Sequence, residues 1–273
     1  MKLTALLMAA GLVTCGLAGP SHAQSALDTI VQGKKLRCGI MLDSPPSGFR
    51  NTSNEPDGFD VAYCRDMAAA LGAEAEIVET PSPDRIPALV SNRIDVLIAS
   101  TTPTPQRAMT VAFTQPYMNY TTSIITRNDT GIEGWEDLKS AKLGGVIGTT
   151  TEQLLNAEIE KGWKSSGATY TGFSSDTEAF LALQQGKVDA ILQATAVFAT
   201  LEASGQFPEF VAAGMAPIND QVSIAVKRDD QQFLNWAKLF VWQQHTSGRF
   251  AEIYAQFFGD AELPSLNAAG VDF

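Results

Sequence analysis

A single arginine follows a cluster of hydroxyl side chains, directly after an apolar run. The run "IDVLI" at residues 94–98 is typical of a buried strand, and "ASTTPTPQR" with Ser100, Thr102 and Arg107 comes next. Hydroxyl and N–H groups at a strand end donate hydrogen bonds, and a guanidinium adds a planar two-pronged donor that matches a carboxylate. The spacing predicts an anion site with Arg107 as its main anchor.

A second group of donors opens a helix later in the chain. The stretch "GTTTEQLL" at residues 148–155 places a glycine and three threonines, among them Thr149 and Thr150, at that start. Free N–H groups and the positive end of the helix dipole suit a carboxylate. Either cluster alone also fits an ordinary cap. Together the two predict a small carboxylate held between two parts of the chain.

Residues for metal or nucleophilic chemistry are scarce. Once residues 1–23 are removed, His245 is the only histidine, and the sequence offers no metal-ligand cluster and no Ser/His/Asp set. The aromatic residues of the later helices, like Trp163 and Trp242, are predicted as core. We therefore expect neither a metal nor a cofactor.

Two cysteines, Cys38 and Cys64, remain after residue 23. Cys38 lies in a run typical of a buried strand, and Cys64 lies in a helical pattern that could pack on that strand. An even pair in an oxidising compartment predicts a disulfide. The alternative is two buried thiols that pack as small apolar side chains.

The N-terminus has the pattern of an export signal. Lys2 precedes an apolar stretch at residues 3–17, and the small residues Ser21 and Ala23 stand where cleavage is expected. The stretch is shorter than the roughly 20 residues that cross a bilayer. We predict a signal peptide at residues 1–23 and a soluble, periplasmic mature chain. A lipoprotein signal ending at Cys15 is the alternative.

Composition limits size and partners. The 273 residues include 30 acidic and 19 basic ones, a net charge of −11 that becomes −12 once Lys2 is removed with the signal. Contacts to phosphate require clustered cations, and a chain this acidic lacks them. We therefore expect no nucleic-acid binding. The mature length suffices for one large domain or two of about 100–150 residues.

Strand and helix patterns alternate along the chain, and the alternation starts twice. The first strand patterns are "KLRCGIML", "AEAEIVET" and "IDVLIAS", with helical patterns at residues 59–71 and 84–92 between them. After the extended "VAFTQPYMNYTTSIITR" come strands "AKLGGVIG", "ATYTGF", "VDAILQ" and "VSIAVKRD", with helices at residues 149–162, 175–186, 231–244 and 248–258. This order predicts an α/β fold of two units, each a mostly parallel sheet flanked by helices, with a cleft between them.

These stretches, in this order, resemble the extracytoplasmic solute-binding proteins, family 3, which deliver polar amino acids to ABC importers. The likeness covers the chain after residue 23. It is carried by "LRCGIMLDSPPSGF", "GFDVAYCRDMAAALG", "RIPALVSNRIDVLIASTTPTPQRAMTVAFTQPY", "DLKSAKLGGVIGTTTEQLL", "LALQQGKVDAIL" and the C-terminal stretch that begins at "VSIAVKRDD". The resemblance implies a two-lobed periplasmic binding protein of type II, whose lobes are joined by two crossing hinge strands and close on the ligand.

The resemblance also implies boundaries and partners. Lobe 1 would comprise residues 24–122 and 221–273, and lobe 2 would comprise residues 123–220. The partners would be an amino acid or a related small carboxylate and the membrane permease of an ABC importer. The protein would be a monomer.

Several ligand contacts follow from the resemblance. Arg107 matches the family arginine that clamps the α-carboxylate of the ligand, and Ser100 and Thr102 match the donors after the strand. Thr150, with its neighbour Thr149, matches the donor of the second lobe at the helix start.

Two family positions differ in this chain. Ser44 and Ser47 stand where the family stacks the ligand on an aromatic ring, which leaves Phe49 as the nearest candidate. Ala194, beside the predicted contact Gln193, stands where the family has the aspartate that holds the ligand ammonium. An unpaired buried ammonium is costly. Either another carboxylate reaches in, or the ligand lacks a free α-amino group, or the register differs by one or two residues.

Ser82 and Arg85 match positions at which family members that bind acidic amino acids place donors for the side-chain carboxylate. Arg85 together with Arg107 would suit a dicarboxylate or a polar amino acid derivative. In the alternative interpretation, Arg85 pairs with a neighbouring acid such as Asp84 or Glu79.

The sequence leaves two alternative function classes. Some exported relatives of the fold are cyclohexadienyl dehydratases, which eliminate water from a cyclic carboxylate and need a positioned acid or base. Ala194 supplies none where it is expected. A sensory ligand-binding module is the second class, although the sequence shows no signalling segment. We predict a binding protein and not an enzyme.

Overall fold

The computed structural model describes residues 25–266. Its strands are β1 (Lys35–Ile40), β2 (Asp43–Ser44), β3 (Gly48–Arg50), β4 (Pro56–Asp57), β5 (Glu74–Glu79), β6 (Val96–Leu97), β7 (Val111–Arg127), β8 (Lys142–Val146), β9 (Thr169–Phe173), β10 (Ala190–Ala194) and β11 (Phe210–Lys227). Its α-helices are α1 (Ala26–Gly33), α2 (Phe59–Ala70), α3 (Arg85–Val90), α4 (Pro105–Ala108), α5 (Thr150–Glu158), α6 (Lys164–Ser166), α7 (Asp176–Gln184), α8 (Thr195–Ser204), α9 (Gln231–Thr246) and α10 (Arg249–Phe258). Short 3-10 turns at Ser82–Asp84 and Trp135–Ser140 and a π-helical turn at Ile159–Trp163 complete the elements.

One eight-stranded sheet runs through both halves of the molecule, in the order β5-β1-β6-β11-β7-β10-β8-β9. On one side β1 pairs in parallel with β5 and β6, and on the other β8 pairs in parallel with β9 and β10. The central pair, β7 and β11, is antiparallel. The predicted α/β architecture with mostly parallel pairing in each lobe is confirmed.

Two long strands connect the lobes. β7 has 17 residues and β11 has 18, and they pair along most of their length. One end of β11 pairs with β6, while the far end of β7 pairs with β10. These are the predicted crossing strands. The sequence pattern indicated only the last third of β11, because Gly214 and Pro217 interrupt the apolar stretch that precedes it.

Each lobe has its own hydrophobic core. In lobe 1 the aromatic side chains of α9 and α10, including Phe233 and Phe250, pack with Leu36 of β1 and Phe59 of α2. In lobe 2 Trp163, predicted as core, packs among buried side chains of β8 and α5. The predicted lobe boundaries after residues 122 and 220 fall within β7 and β11 and stay predictions.

Trp242 corrects one expectation. Its side chain was predicted as core, but it lies on the outer face of α9 and is 59% exposed. The helical spacing of the aromatics does not distinguish this residue from Phe240 and Val241, which are buried. Helices α1 and α8 were also not anticipated by the sequence patterns.

A disulfide joins Cys38 of β1 to Cys64 of α2, with 6.3 Å between their Cα atoms. Both cysteines lie in the lobe 1 core. The structure therefore supports the disulfide over the alternative of two free thiols.

The predicted signal peptide, including the alternative at Cys15, lies outside the described residues. Of the helices within residues 25–266, none is long and apolar enough to cross a membrane.

Candidate ligand-binding cleft

A cleft lies between the lobes, where strands of both end. Its empty space is about 710 Å³, which includes the solvent at its open mouth. Lobe 1 lines it with Met41, Ser44, Ser47, Ser82, Arg85, Ser100, Thr102 and Arg107, lobe 2 with Val146, Thr149, Thr150, Thr151, Asp176, Leu192, Gln193, Ala194 and Val197, and the crossing strands with Tyr120, Thr122, Asp220 and Val222.

Most of the predicted contact residues meet in this cleft. Those that line it are Ser82, Arg85, Ser100, Thr102, Arg107, Thr149, Thr150 and Gln193. Phe49 is not one of the lining residues, because it lies on β3 between Asp43 of β2 and Asp57 of β4. Ser44 and Ser47 of the same segment line the cleft instead. The aromatic contact expected of Phe49 therefore has no support in the structure.

Arg107 lies on the short helix α4 and contacts both lobes. Thr104 caps this helix by accepting a hydrogen bond from the Arg107 N–H at 3.1 Å. The guanidinium donates from Nη1 to the carbonyl of Thr102 at 2.6 Å and from Nη2 to the carbonyl of Gly148 at 2.7 Å. Burial lowers the pKa of Arg107, and Asp220 opposes that effect. The side chain is thus a buried cation at the junction of the lobes.

Gly148 is the point at which lobe 2 approaches this arginine. Its φ of +82° is in the left-handed region that favours glycine, and a Cβ there would lie 3.4 Å from the carbonyl oxygen of Ser82. Thr149 then caps α5 by accepting from the Glu152 N–H, and the Glu152 carboxylate accepts from the Gly148 N–H. This reciprocal cap shapes the turn. It shows Thr149 as a structural cap that also lines the cleft.

Asp220 was not predicted, although it connects the two donor turns. Its Oδ1 accepts hydrogen bonds from Thr102 Oγ1 and from Thr150 Oγ1, each at 2.7 Å. One hydroxyl belongs to each lobe, and Asp220 itself lies on the crossing strand β11. The three residues are far apart in sequence, and no local pattern marks a single acid in an exposed strand. Only the tertiary structure identifies it.

Arg85 is enclosed by main-chain carbonyls. Its Nε donates to Ser82 at 3.1 Å, its Nη1 to Ala99 and Ser100 at 3.0 Å each, and its Nη2 to Gly148 at 3.1 Å. The side chain is only 5% exposed. These four bonds hold together the strand-end turn of lobe 1 and the helix start of lobe 2.

The predicted alternative partners of Arg85 pair with other residues. Asp84 pairs with Arg93 at 3.4 Å, and Glu79 pairs with Arg50 at 2.5 Å. Burial, followed by the charge of the other arginine in the cleft, lowers the pKa of Arg85 to about 10. Arg85 is therefore a buried cation whose hydrogen bonds go to carbonyl oxygens.

Asp176 is a second acid of the cleft that the sequence did not reveal. It is the first residue of α7, and its Oδ1 accepts from Gln193 Nε2 at 2.9 Å. Its N–H donates to the Asp43 carboxylate of lobe 1 at 3.0 Å. Burial, and next the negative charge of Asp43, raise the pKa of Asp176 to about 7. In the sequence "SSDTE" is indistinguishable from a simple helix cap.

Ala194 ends β10 and lines the cleft beside Gln193. The position where the family was expected to have its aspartate is thus in the cleft and has no carboxylate. Asp176 and Asp220 are the acids that line it. The cleft thus contains carboxylates at other positions, as the first of the three explanations left open by the sequence requires.

A buried network supports the strand-end turn from behind. Ser100 has a left-handed φ of 45°, which is uncommon for a residue with a Cβ. Its N–H donates to the Tyr117 hydroxyl at 3.3 Å, and that hydroxyl donates to Asp60 Oδ1 at 2.9 Å. Burial raises the pKa of Asp60 to about 8. This network holds the Ser100 backbone at the edge of the cleft.

The two-lobed fold, its crossing strands and a cleft lined by opposite charges define a solute-binding protein. A family model agrees, since it matches residues 36–260 and is described as bacterial extracellular solute-binding proteins, family 3. The chain belongs to this family.

Individual relatives extend the likeness. The ABC transporter glutamine-binding protein GlnH of Bacillus subtilis is 27% identical over 265 residues, which are 94% of either chain. The L-arginine-binding protein of Pseudomonas aeruginosa is 25% identical and covers 85% of this chain and 91% of its own. A crystal structure of the ancestral amino acid-binding protein AncCDT-1, a precursor of cyclohexadienyl dehydratase, aligns with a TM-score of 0.75 at 27% identity. It covers 86% of this chain and 100% of its own.

Proposed function

We propose that the protein is the substrate-binding component of an ABC importer and captures one amino acid by closure of its lobes. Arg107 binds the α-carboxylate of the ligand, with help from Ser100, Thr102 and Thr150. Asp220 binds the α-ammonium group.

The observation that carries this proposal is the pairing of opposite charges around one residue. Thr102 accepts from Arg107 through its carbonyl and donates to Asp220 through its hydroxyl. A buried cation, Arg107, and an acid, Asp220, are therefore both hydrogen-bonded to Thr102, and both line the cleft. The cation is complementary to the carboxylate of an amino acid, and the acid is complementary to its ammonium group. Hydrogen bonds that involve charged groups are stronger than those between neutral groups.

Asp220 also answers the problem raised by Ala194. A ligand ammonium enclosed between the lobes without a counter-charge would be costly. Asp220 is held by one hydroxyl from each lobe, so it is presented to the cleft most firmly when the lobes are together. It takes the role that the family aspartate would have at position 194.

The remaining parts of the proposal concern location and partners. The relatives are transporter binding proteins, and the family is extracellular by description. The protein acts as a monomer in the periplasm, is exported by its N-terminal signal, and delivers its ligand to a membrane permease.

The test begins with a thermal-shift screen of the common amino acids, because a ligand that binds only the native state raises the melting temperature. Calorimetry then compares the best ligand with its analogue that lacks the α-amino group. Wild type should bind the analogue at least tenfold more weakly, and Asp220→Asn should remove most of that difference. An analogue that binds wild type equally well would contradict the role of Asp220.

Arg107→Ala should lose at least a hundredfold in affinity, since an unpaired buried charge costs roughly 3–5 kcal/mol and each 1.4 kcal/mol is tenfold. Arg107→Lys should also bind poorly, because an ammonium cannot reproduce the planar fork. Arg228→Ala is the matched control, since that exposed arginine donates to the Met109 carbonyl outside the cleft. Near-wild-type affinity of Arg107→Ala would refute the clamp.

The alternative function, that of a dehydratase, requires a general acid or base in the cleft, and Asp176 is an acid that lines it. The pKa of Asp176 is raised to about 7 by burial, which is where a general acid works best at neutral pH. Incubation of the protein with prephenate or arogenate tests this directly. Formation of an aromatic product would show that the protein is an enzyme rather than a transport binding protein.

A further inference from the structure

We infer that Asp176 selects the side chain of the ligand, so that the protein prefers amino acids whose side chains donate hydrogen bonds. An amide, an ammonium or a guanidinium meets this condition, and a second carboxylate does not. The inference rests on the proposed function, because it presupposes an amino acid in the cleft.

The position of Asp176 is fixed by two hydrogen bonds. Gln193 donates to its Oδ1, and the Asp176 N–H donates to Asp43 of the opposite lobe. The Gln193 amide is itself oriented, because its Oε1 accepts from the Ala194 N–H at 2.8 Å. The amide oxygen of Gln193 is thus already engaged, and its NH₂ group faces the acid. The carboxylate of Asp176 is the acceptor that this part of the wall offers to a ligand.

Two charges act on Asp176, and the carboxylate of Asp43 disfavours a further acid more strongly than the charge of Arg85 favours one. Asp176 is 7% exposed, and the carboxylate of Asp43 lies close enough to raise its pKa. A ligand carboxylate placed there would be a third negative group in one desolvated region. A ligand amide or cation would instead donate to Asp176 and offset the repulsion between the two acids.

The arginines of the cleft offer few free donors to a second carboxylate. Arg107 is assigned to the α-carboxylate, and Arg85 gives four hydrogen bonds to main-chain carbonyls. Among the described residues that line the cleft, these two are the only cations. Four of the five N–H groups of Arg85 thus donate to the protein, which leaves it a single donor for a second ligand carboxylate, fewer than a two-pronged contact needs.

Calorimetry at pH 8 with arginine, glutamine and glutamate tests the inference. Wild type should bind arginine or glutamine at least tenfold tighter than glutamate. In Asp176→Asn this ratio should fall below threefold, because the repulsion of glutamate is lost together with the charged acceptor. Asp129→Asn, which changes an exposed acid outside the cleft, should keep the wild-type ratio.

The outcomes separate this inference from the proposed function. Tightest binding of glutamate, or an unchanged ratio in Asp176→Asn, overturns the role of Asp176 while leaving amino acid capture intact. A wild type that binds none of the three overturns this inference, and it overturns the proposed function as well if the thermal-shift screen of the common amino acids also finds no ligand. The ranking of the three ligands by wild type alone decides the preference, even if Asp176→Asn does not fold.

Discussion

Gly148 accepts a hydrogen bond from Arg107 across the cleft, at 2.7 Å between the carbonyl oxygen and Nη2. The glycine belongs to the helix start of lobe 2 and the arginine to the strand-end turn of lobe 1. Their contact brings the two donor groups that the sequence singled out to the same point, as the proposed capture of an anion between the lobes requires.

We predict that ligand binding makes the protein more compact. In X-ray scattering, a saturating amino acid ligand should reduce the radius of gyration of wild type, because the donors are divided between the lobes. Arg107→Ala should show no such change, and Arg228→Ala should behave as wild type. A radius of gyration that stays constant while calorimetry reports binding would argue against closure.

Arg85 should matter for stability more than any exposed arginine. Arg85→Met keeps the apolar stem but leaves buried carbonyls of Ser82 and Ala99 without their donor. We expect a loss of roughly 3–5 kcal/mol in the free energy of unfolding, measured by urea denaturation. Arg93→Met is the matched control, because its pair with Asp84 is exposed and worth about 0–1 kcal/mol. Equal stability of the two variants would contradict the structural role of Arg85.

The disulfide should stabilise lobe 1 considerably. The cysteines are 26 residues apart, and closing such a loop is worth roughly 3–4 kcal/mol in the chain-entropy model. The double variant Cys38→Ala/Cys64→Ala should therefore melt about 6–15 °C lower than wild type. Wild type treated with a reductant should move in the same direction. A melting temperature that changes in neither case would mean that the bond does not form.

Asp60 should give stability a dependence on pH. Its pKa is about 8 in the folded protein and about 3.9 in an unfolded chain, so the folded state retains a proton that the unfolded state has lost. The contribution of this group is full below about pH 4 and is lost as the pH rises through 8. In urea denaturation between pH 5 and 9, the free energy of unfolding should decline less for Asp60→Asn than for wild type.

Asn keeps the acceptor for Tyr117, so the comparison isolates the titration from the hydrogen bond. Asp129→Asn should decline as wild type does, because that acid is 71% exposed in its side chain. The pKa of Asp176 is also raised, so the free energy of unfolding should still decline somewhat with pH in every variant. Parallel curves for Asp60→Asn and wild type would show that Asp60 is ionised in the folded protein throughout.

Local patterns predicted much of this molecule. The helix at residues 59–71 and the strand that holds Cys38 follow from periodicity and apolar runs, since the factors that specify them lie within a few residues. The cluster around Arg107 could be recognised because donors at a strand end are contiguous in sequence. The local patterns and the family resemblance together predicted eight residues that the structure brings to one cleft.

The tertiary structure alone decided which charges meet. Asp220 and Asp176 are single acids in stretches without a recognisable motif. Each comes to line the cleft only when elements that are distant in sequence pack together. Arg85 could be read as a ligand contact or as the partner of a neighbouring acid, whereas the fold surrounds it with carbonyls. The positions of Phe49 and Trp242 also depend on the tertiary structure, and both differ from what the sequence predicted. Sequence spacing specifies local direction and hydrophobicity, but the partner of a polar side chain depends on contacts between residues that are 40 to more than 100 positions apart.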